Sequence, residues 1–319
     1  MVEAVGNNAK LKQSRRRSRF ADIIIRLVKE KPLGTVGGVI VLIFILTAIV
    51  AYFLPTNLMS EVHLGNLAEG PSTRFIMGTD QLGRDEFMRL IFGTKISITV
   101  GLLSSALSVL VSTAIGSISG LIGGKTDMII QRVVDAWMCF PALFILMTLM
   151  NVVGAGVAQM IIVLGIATGI SGSRVIRSAV IGIRANVYVE ASTAIGCTNW
   201  QALTRHILPN IMAPVIILFT IGIGGMVLAE ATLTFLGFGL PPDVASWGRM
   251  LNDATRQALQ APLLSLWPGL ALSLLVYGIN MLGDAVRDIL DPRLRGGVGR
   301  YQGVKVKKLK HKSETQEMT

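Results

Sequence analysis

Two runs of this sequence, residues 36–54 and 96–122, contain no charged side chain. A helix rises about 1.5 Å per residue and needs about 20 mostly apolar residues to cross a hydrocarbon core, so each run is long enough to span a bilayer. The rest of the chain does not restore a water-facing surface. Only 15% of residues are charged and 51% are apolar, against about 25% charged in ordinary soluble domains. Disorder is excluded by the same numbers, because disordered chains are poor in apolar residues.

Four further stretches qualify as spans: 133–153, which carries only Asp135; 156–173, short and glycine-containing; 211–229, which runs into Glu230; and 263–282. The expected fold is therefore an all-α polytopic membrane protein with six transmembrane helices. The first apolar run is longer than a signal-peptide core and lacks a small-residue cleavage site, so it reads as a retained helix.

Positive charge sets the orientation, since Lys and Arg accumulate in cytoplasmic loops. With the N-terminus inside, 9 of them fall in the N-terminal tail, 2 between the second and third spans, 4 between the fourth and fifth, and 9 in the C-terminal tail. Six fall outside: Arg74, Arg84, Arg89, Lys95, Arg249 and Arg256. Both termini are expected in the cytoplasm. The net charge of +11 is thereby a topology signal and not a nucleic-acid footprint. The basic stretches 10–19 and 305–312 suit attraction to anionic lipid, and residues 20–31 suit a helix lying along the interface.

Several chemistries are set aside. Gly120 to Thr126 resembles a phosphate-binding loop, but that motif needs four residues between its first Gly and the Gly-Lys-Ser/Thr, and only three separate Gly120 from Gly124. ATP binding by this chain alone is not expected. Cys139 and Cys197 lie in unrelated contexts, and His63, His206 and His311 are scattered, so neither a disulfide nor a metal centre is expected, and no cofactor. Asp135, Glu230 and Asp284 fall near predicted span ends, where an interfacial or pairing role is expected over proton carriage. Gly101, Ser105, Ser108, Ser112, Gly116 and Ser119 share one helix face. That stripe of small residues suits close packing against another span, with Ser105, Ser108 and Ser112 as alternative pathway-lining residues.

The loop at 174–210 has a regular build. Residues 187–195 favour a short helix with Asn186 as N-cap, Gly196 suits a left-handed helix end, and Thr198 with Gln201 forms a capping-box pattern opening a second helix that runs to Pro209. A DNA-binding helix–turn–helix is disfavoured because both ends are tethered near spans.

Glu190-Ala191-Ser192, then Gly196, then Leu208-Pro209 resembles the EAA motif of ATP-binding-cassette (ABC) importer permeases; Ser192 stands for the second Ala and His206 for an Ile. Gly78-Thr79-Asp80-Gln81-Leu82-Gly83-Arg84-Asp85 is similar to the signature of the second permease subunit in dipeptide/oligopeptide importers. So are Ala229-Glu230-Ala231, Phe235 to Leu240, Trp247-Gly248, and the ending from Asn280 to Arg293.

The resemblance implies the type I ABC importer permease fold in a plasma (inner) membrane. It implies a non-catalytic subunit that forms the pathway with a homologous permease, beside two cytoplasmic ABC ATPase subunits and an external substrate-binding protein. Glu190, Ala191, Ser192, Gly196, Leu208 and Pro209 would couple it to the ATPases. Di- or oligopeptides are the expected cargo, with nickel chelates, glutathione or sugars as alternatives, and an ion-coupled secondary transporter is disfavoured for want of a mid-span ionisable group. The expected organisation is a basic tail and interfacial helix at 1–35, a first span at 36–54, an external segment at 55–95, a permease core at 96–288 and a basic tail at 289–319.

Overall fold

A computed structural model describes residues 27–257 and 261–290. The basic stretches 10–19 and 305–312, most of the expected interfacial helix, and the motif residues after Leu290 lie outside them. Among the described residues the only β pairing is an isolated bridge between Thr79 and Asp85, and the rest is helix and turn.

Helix α1 (Pro32–Phe53) begins with Pro at its first position, where the missing N–H costs no intrahelical bond. Helix α2 (Glu86–Ile122) starts ten residues before the apolar run, because Asp85 caps it by accepting from Phe87 N at 2.9 Å and Met88 N at 3.4 Å. Helices α3 (Gly124–Met138) and α4 (Ala142–Val153) follow, then α5 (Val157–Arg184) and α6 (Val187–Ala194). A helical run at 199–210, α7, comprises Asn199–Ala202, a π turn Leu203–Ile207 and Leu208–Asn210. Helices α8 (Met212–Phe235), α9 (Trp247–Thr255) and α10 (Leu263–Leu290) complete the described residues. Among the described residues five helices are long and apolar enough to cross a membrane, and α3 with α4 makes a sixth span if the bent pair is counted as one.

Two expectations need correction. The third span is not one helix over 133–153. It begins at Gly124, and its halves meet at 89° across residues 139–141. Pro141 has no N–H to donate and disfavours helical backbone at Phe140, which ends α3 in the middle of the apolar run. The fourth span does not stop at Ser173, and the loop does not begin at 174. Helix α5 runs on to Arg184, since Arg174 and Arg177 are paired with Asp135 and Asp127 of α3. Glu230 lies near a span end as expected, five residues before the last residue of α8. It lies fully buried inside α8, receiving hydrogen bonds from Ser97 Oγ at 3.0 Å and Thr234 Oγ1 at 3.2 Å.

Helices α2 and α5 run parallel and make the most extensive contact in the fold. Glycine sets their separation. A Cβ at Gly116 would stand 2.5 Å from Ser173 O, and one at Gly120 would stand 2.9 Å from Val180. Helix α1 lies antiparallel to α10, where a Cβ on Gly37 would meet Gly278 O at 2.6 Å. Near the described chain ends, Lys31 Nζ donates to Asp288 Oδ2 at 2.5 Å. The starts of α1 and α8 and the ends of α2, α5 and α10 therefore gather at one end of the bundle, together with α6 and α7. At the opposite end, Trp247 of α9 is fully buried, donating from Nε1 to Leu90 O at 3.2 Å.

Candidate functional site

Helices α6 and α7 form a compact knob joined to α5 at one side and α8 at the other. Its root is apolar: Leu203, Ile207 and Ile211 pack with Leu121 of α2 and with Ile176 and Val180 of α5. Burying this cluster ties the knob to the ends of two spans.

Asn186 occupies the N-cap position of α6 in backbone terms but makes no side-chain cap. Its Nδ2 instead donates back to Gly182 O at 3.2 Å and Ile183 O at 3.0 Å, closing the end of α5. The side-chain cap expected there belongs to the neighbouring helix. The end of α6 is as the sequence predicts. Gly196 has φ of 96°, its N–H donates to Thr193 O at 3.0 Å, and Cys197 N donates to Ser192 O at 3.0 Å. These two bonds make a Schellman motif, which requires a left-handed residue at Gly196. No atom lies within 4 Å of the position a Cβ would take there, so the demand for glycine is conformational and not steric.

The capping box is also present. Thr198 Oγ1 accepts from Gln201 N at 3.3 Å, and Gln201 Oε1 accepts from Thr198 N at 2.9 Å. Further along, Pro209 cannot donate to Arg205 O, and the turn before it widens: Leu208 N donates to Leu203 O, five residues back. After Pro209 the helix lasts one more residue, and Ile211 alone separates it from α8.

The structure brings the expected residues onto this one body. Glu190 and Ala191 are exposed on α6, Ser192 is half-buried and donates to Val189 O at 2.7 Å, Leu208 joins the root cluster, and Pro209 is exposed. Tyr188 and His206 rings meet edge-on at 6.3 Å, fastening α6 to α7. What sequence reasoning did not single out is the apolar outer surface: Val187, Tyr188, Ile195 and Trp200 are exposed, Ile195 at 88% and Trp200 at 71%. Below it, Arg184, Glu190, Thr193 and Asn199 border a cavity of about 400 Å³. A rigid knob with a greasy face and a charged cleft suits the docking of another protein.

Ser105, Ser108 and Ser112 lie elsewhere, in seams between helices. Ser105 Oγ donates to Phe219 O at 2.7 Å, Ser112 Oγ donates to Gly169 O at 2.8 Å, and Ser108 Oγ accepts from Thr168 Oγ1 at 3.1 Å. All three are buried in this chain.

A second constellation holds the opposite end together. Asp80 Oδ1 accepts from Leu82 N and Arg84 N, each at 2.9 Å, and its Oδ2 accepts from Arg84 Nε at 2.7 Å and from Arg89 Nη1. Arg89 also reaches Asp253 of α9 at 3.3 Å, and Arg249 reaches the same carboxylate at 3.2 Å. The Gly78–Asp85 signature is thus the frame of a buried ion network. Arg89 and Asp253 gave no sequence signal because 164 residues separate them.

The family described as binding-protein-dependent transport system inner membrane component matches residues 112–296. Among similar proteins, a dipeptide transport system permease protein, DppC, of Alkalihalophilus pseudofirmus is 35% identical over 84% of this chain and 88% of its own length. The oligopeptide transport system permease protein OppC of Bacillus subtilis is 35% identical over 87% and 91%. The glutathione transport system permease protein GsiD of Pectobacterium atrosepticum is 34% identical over 81% and 86%.

Proposed function

The chain belongs to the family of binding-protein-dependent transport system inner membrane components, and from that premise we propose that it carries di- or oligopeptides across a plasma (inner) membrane as the permease subunit of an ATP-driven importer. The pathway forms between it and a homologous permease. Two cytoplasmic ABC ATPases supply the work, and an external substrate-binding protein supplies the cargo. Both termini, and with them the knob, face the cytoplasm in keeping with the distribution of Lys and Arg. The chain itself performs no catalysis and holds no cofactor.

The observation that carries the coupling role is the knob: two short helices around a left-handed Gly196, rooted in α5 and α8 and presenting Ile195 and Trp200 outward. Glu190, Ala191, Ser192 and Gly196 sit on its outer part, and Leu208 and Pro209 at its junction with α8. Closure of the ATPase pair would displace the knob, and the buried root of Leu203, Ile207 and Ile211 would pass that displacement to the spans. Ser105, Ser108 and Ser112 fit packing in this chain better than contact with cargo, as each is already bonded within a helix seam.

The test is reconstitution of the complete complex in proteoliposomes with uptake of a radiolabelled dipeptide. Uptake should require ATP on the knob side and be lost when the ATPase phosphate-loop lysine is replaced. Accumulation driven by a proton or sodium gradient without ATP would overturn the reading. The glutathione permease likeness favours a tripeptide as second cargo, so labelled glutathione belongs in the same assay.

A further inference from the structure

Helix α4 shows polar side chains on the outside of an apolar span. Phe144, Thr148 and Asn151 fall within about 60° of one another at roughly 100° per residue, and all three are exposed. Neither the Thr148 hydroxyl nor the Asn151 amide has a hydrogen-bond partner among the described residues. At the foot of this stripe, the 89° bend at residues 139–141 opens a crevice of about 440 Å³. Its walls come from Trp137 of α3, Phe140 at the bend, Leu146 of α4, and Thr168 and Ser171 of α5. The lining is mostly apolar with a few polar groups, and sites for small ligands share that character at about 300–1,000 Å³.

The polar groups of the crevice have bonds still to make. In an unbroken helix Trp137 O would accept from the N–H four residues on, but that residue is Pro141, which has none. Helix carbonyls point toward the C-terminal end, here the bend, so this acceptor is turned to the crevice. Ser171 Oγ likewise makes no hydrogen bond within the described chain. Toward the knob end, Asp135 and Arg174 pair at the rim, each about two-fifths exposed.

Lipid is a poor neighbour for such a surface. Hydrocarbon offers no donor to Trp137 O and no acceptor to Ser171, and exposed ions are not placed against it. A flush helix is a poor neighbour as well. The close seams in this chain are made by glycine, at Gly37, Gly116 and Gly120, whereas this face presents Phe140, Leu143 and Phe144, all exposed. What fits is a small water-borne guest with an amide N–H for the carbonyl and an apolar group for the aromatic recess. A short peptide has both.

We propose that the crevice is a cargo subsite: it takes one apolar side chain of the transported peptide beside Trp137 and Phe140, Trp137 O and Ser171 Oγ bind the peptide main chain, and Thr148 and Asn151 line the approach. Main-chain contacts are blind to sequence, so the size of the recess decides which side chains pass. The inference rests on the permease reading above and adds where in this chain the cargo lies. Ser105, Ser108 and Ser112 have no part in it, since their hydroxyls are bonded within helix seams.

The test uses the intact transporter complex in proteoliposomes, with saturating binding protein and two labelled dipeptides, alanyl-alanine and alanyl-phenylalanine. Ser171→Phe should fill the recess and lower ATP-driven uptake of alanyl-phenylalanine by roughly tenfold, the lower end of discrimination by pocket size, with alanyl-alanine uptake within about twofold of the wild type. A second measurement needs no substitution. A dipeptide carrying a benzophenone side chain is illuminated during uptake by the wild type, and mass spectrometry should find it attached within residues 137–146 or 168–171. A Ser171→Phe complex that lowers uptake of both dipeptides alike, or of neither, overturns the proposal, as does cross-linking confined to other segments or to the second permease. A wild-type complex that takes up neither dipeptide with ATP counts against the permease assignment, whereas uptake with cross-links elsewhere counts against the subsite alone.

Discussion

Arg89 at the start of α2 and Asp253 on α9 lie 3.3 Å apart, with the guanidinium only 2% exposed and shared with Asp80. A planar fork holds two carboxylates in a fixed geometry, whereas an ammonium is a compact point charge with rotatable donors. Removing Arg89 would leave Asp80 to Arg84 and Asp253 to Arg84 and Arg249, with a void where the guanidinium lay. Arg89→Ala is expected to destabilise the chain by about 3 kcal/mol, the lower end for breaking a buried pair from one side, because those partners remain. Arg89→Lys should recover only part of that. Thermal unfolding of the detergent-purified protein, followed by its tryptophan fluorescence, measures both. Equal melting of all three proteins would mean that the network does not hold α9 to α2.

Gly196 was singled out in the sequence as a left-handed turn, and its φ of 96° meets that expectation. The open space around it changes what a substitution does. A β-carbon clashes with nothing, so the cost is the backbone preference alone, about 1–2 kcal/mol for an ordinary residue and less for Asn. Transport per ATP hydrolysed should fall in the order Gly, Asn, Ala, with Gly196→Asp near Asn in backbone strain but carrying a charge onto an apolar face. If Gly196→Ala couples as well as the wild type, the turn is not needed for coupling.

The features that could be read from the chain were local ones. The bonds around Gly196 and those of the pair Thr198 and Gln201 span no more than five residues, so their pattern determines their geometry. Asn186 is also local, yet its amide can serve the helix before it or the helix after it, and spacing does not choose between them. Hydropathy placed α1 within four residues at each end and the start of α8 within one because their runs lack charge, but it stopped α8 six residues early, before Glu230. It failed for α5, since a window counts Arg174 and Arg177 as unpaired when their carboxylate partners lie 39 and 50 residues away. Pro141 was a visible breaker inside the third run, and its rule was the signal that could have located the bend. For Glu230 the place near the end of α8 was legible, but not its burial against Ser97, 133 residues away.

Thr198 caps α7 through one hydroxyl, and the bond it accepts from Gln201 N is 3.3 Å long. Thr198→Ala removes one half of the capping box and is expected to cost about 1 kcal/mol, while Thr198→Ser should cost little. Because the knob stands apart from the bundle core, the loss should appear as faster amide exchange in residues 199–203 and leave α2 and α5 unchanged. Hydrogen–deuterium exchange resolves the two regions. Uniform change across the chain would contradict a separately ordered knob.

The α2–α5 seam predicts a contrast between two glycines in spans. At Gly116 a Cβ would approach Ser173 O to 2.5 Å, Arg177 N to 2.8 Å and Ile176 Cβ to 2.8 Å, all on one neighbouring helix. Backbone atoms of a packed helix cannot step aside singly, so Gly116→Val must push α5 outward, and overpacking of this kind costs about 1–3 kcal/mol or more. The displacement would also weaken the bond from Ser112 Oγ to Gly169 O and the bidentate pair of Arg177 with Asp127, which share that seam. Gly225 of α8 has nothing within 4 Å of the same position, so Gly225→Ala should leave the chain at least as stable, gaining up to about 1 kcal/mol in helix propensity. Melting temperatures of the two purified variants decide it. A Gly116→Val protein that melts with the wild type would show that α2 and α5 can separate freely, and the argument that the knob drags a rigidly packed pair of spans would then lose its footing.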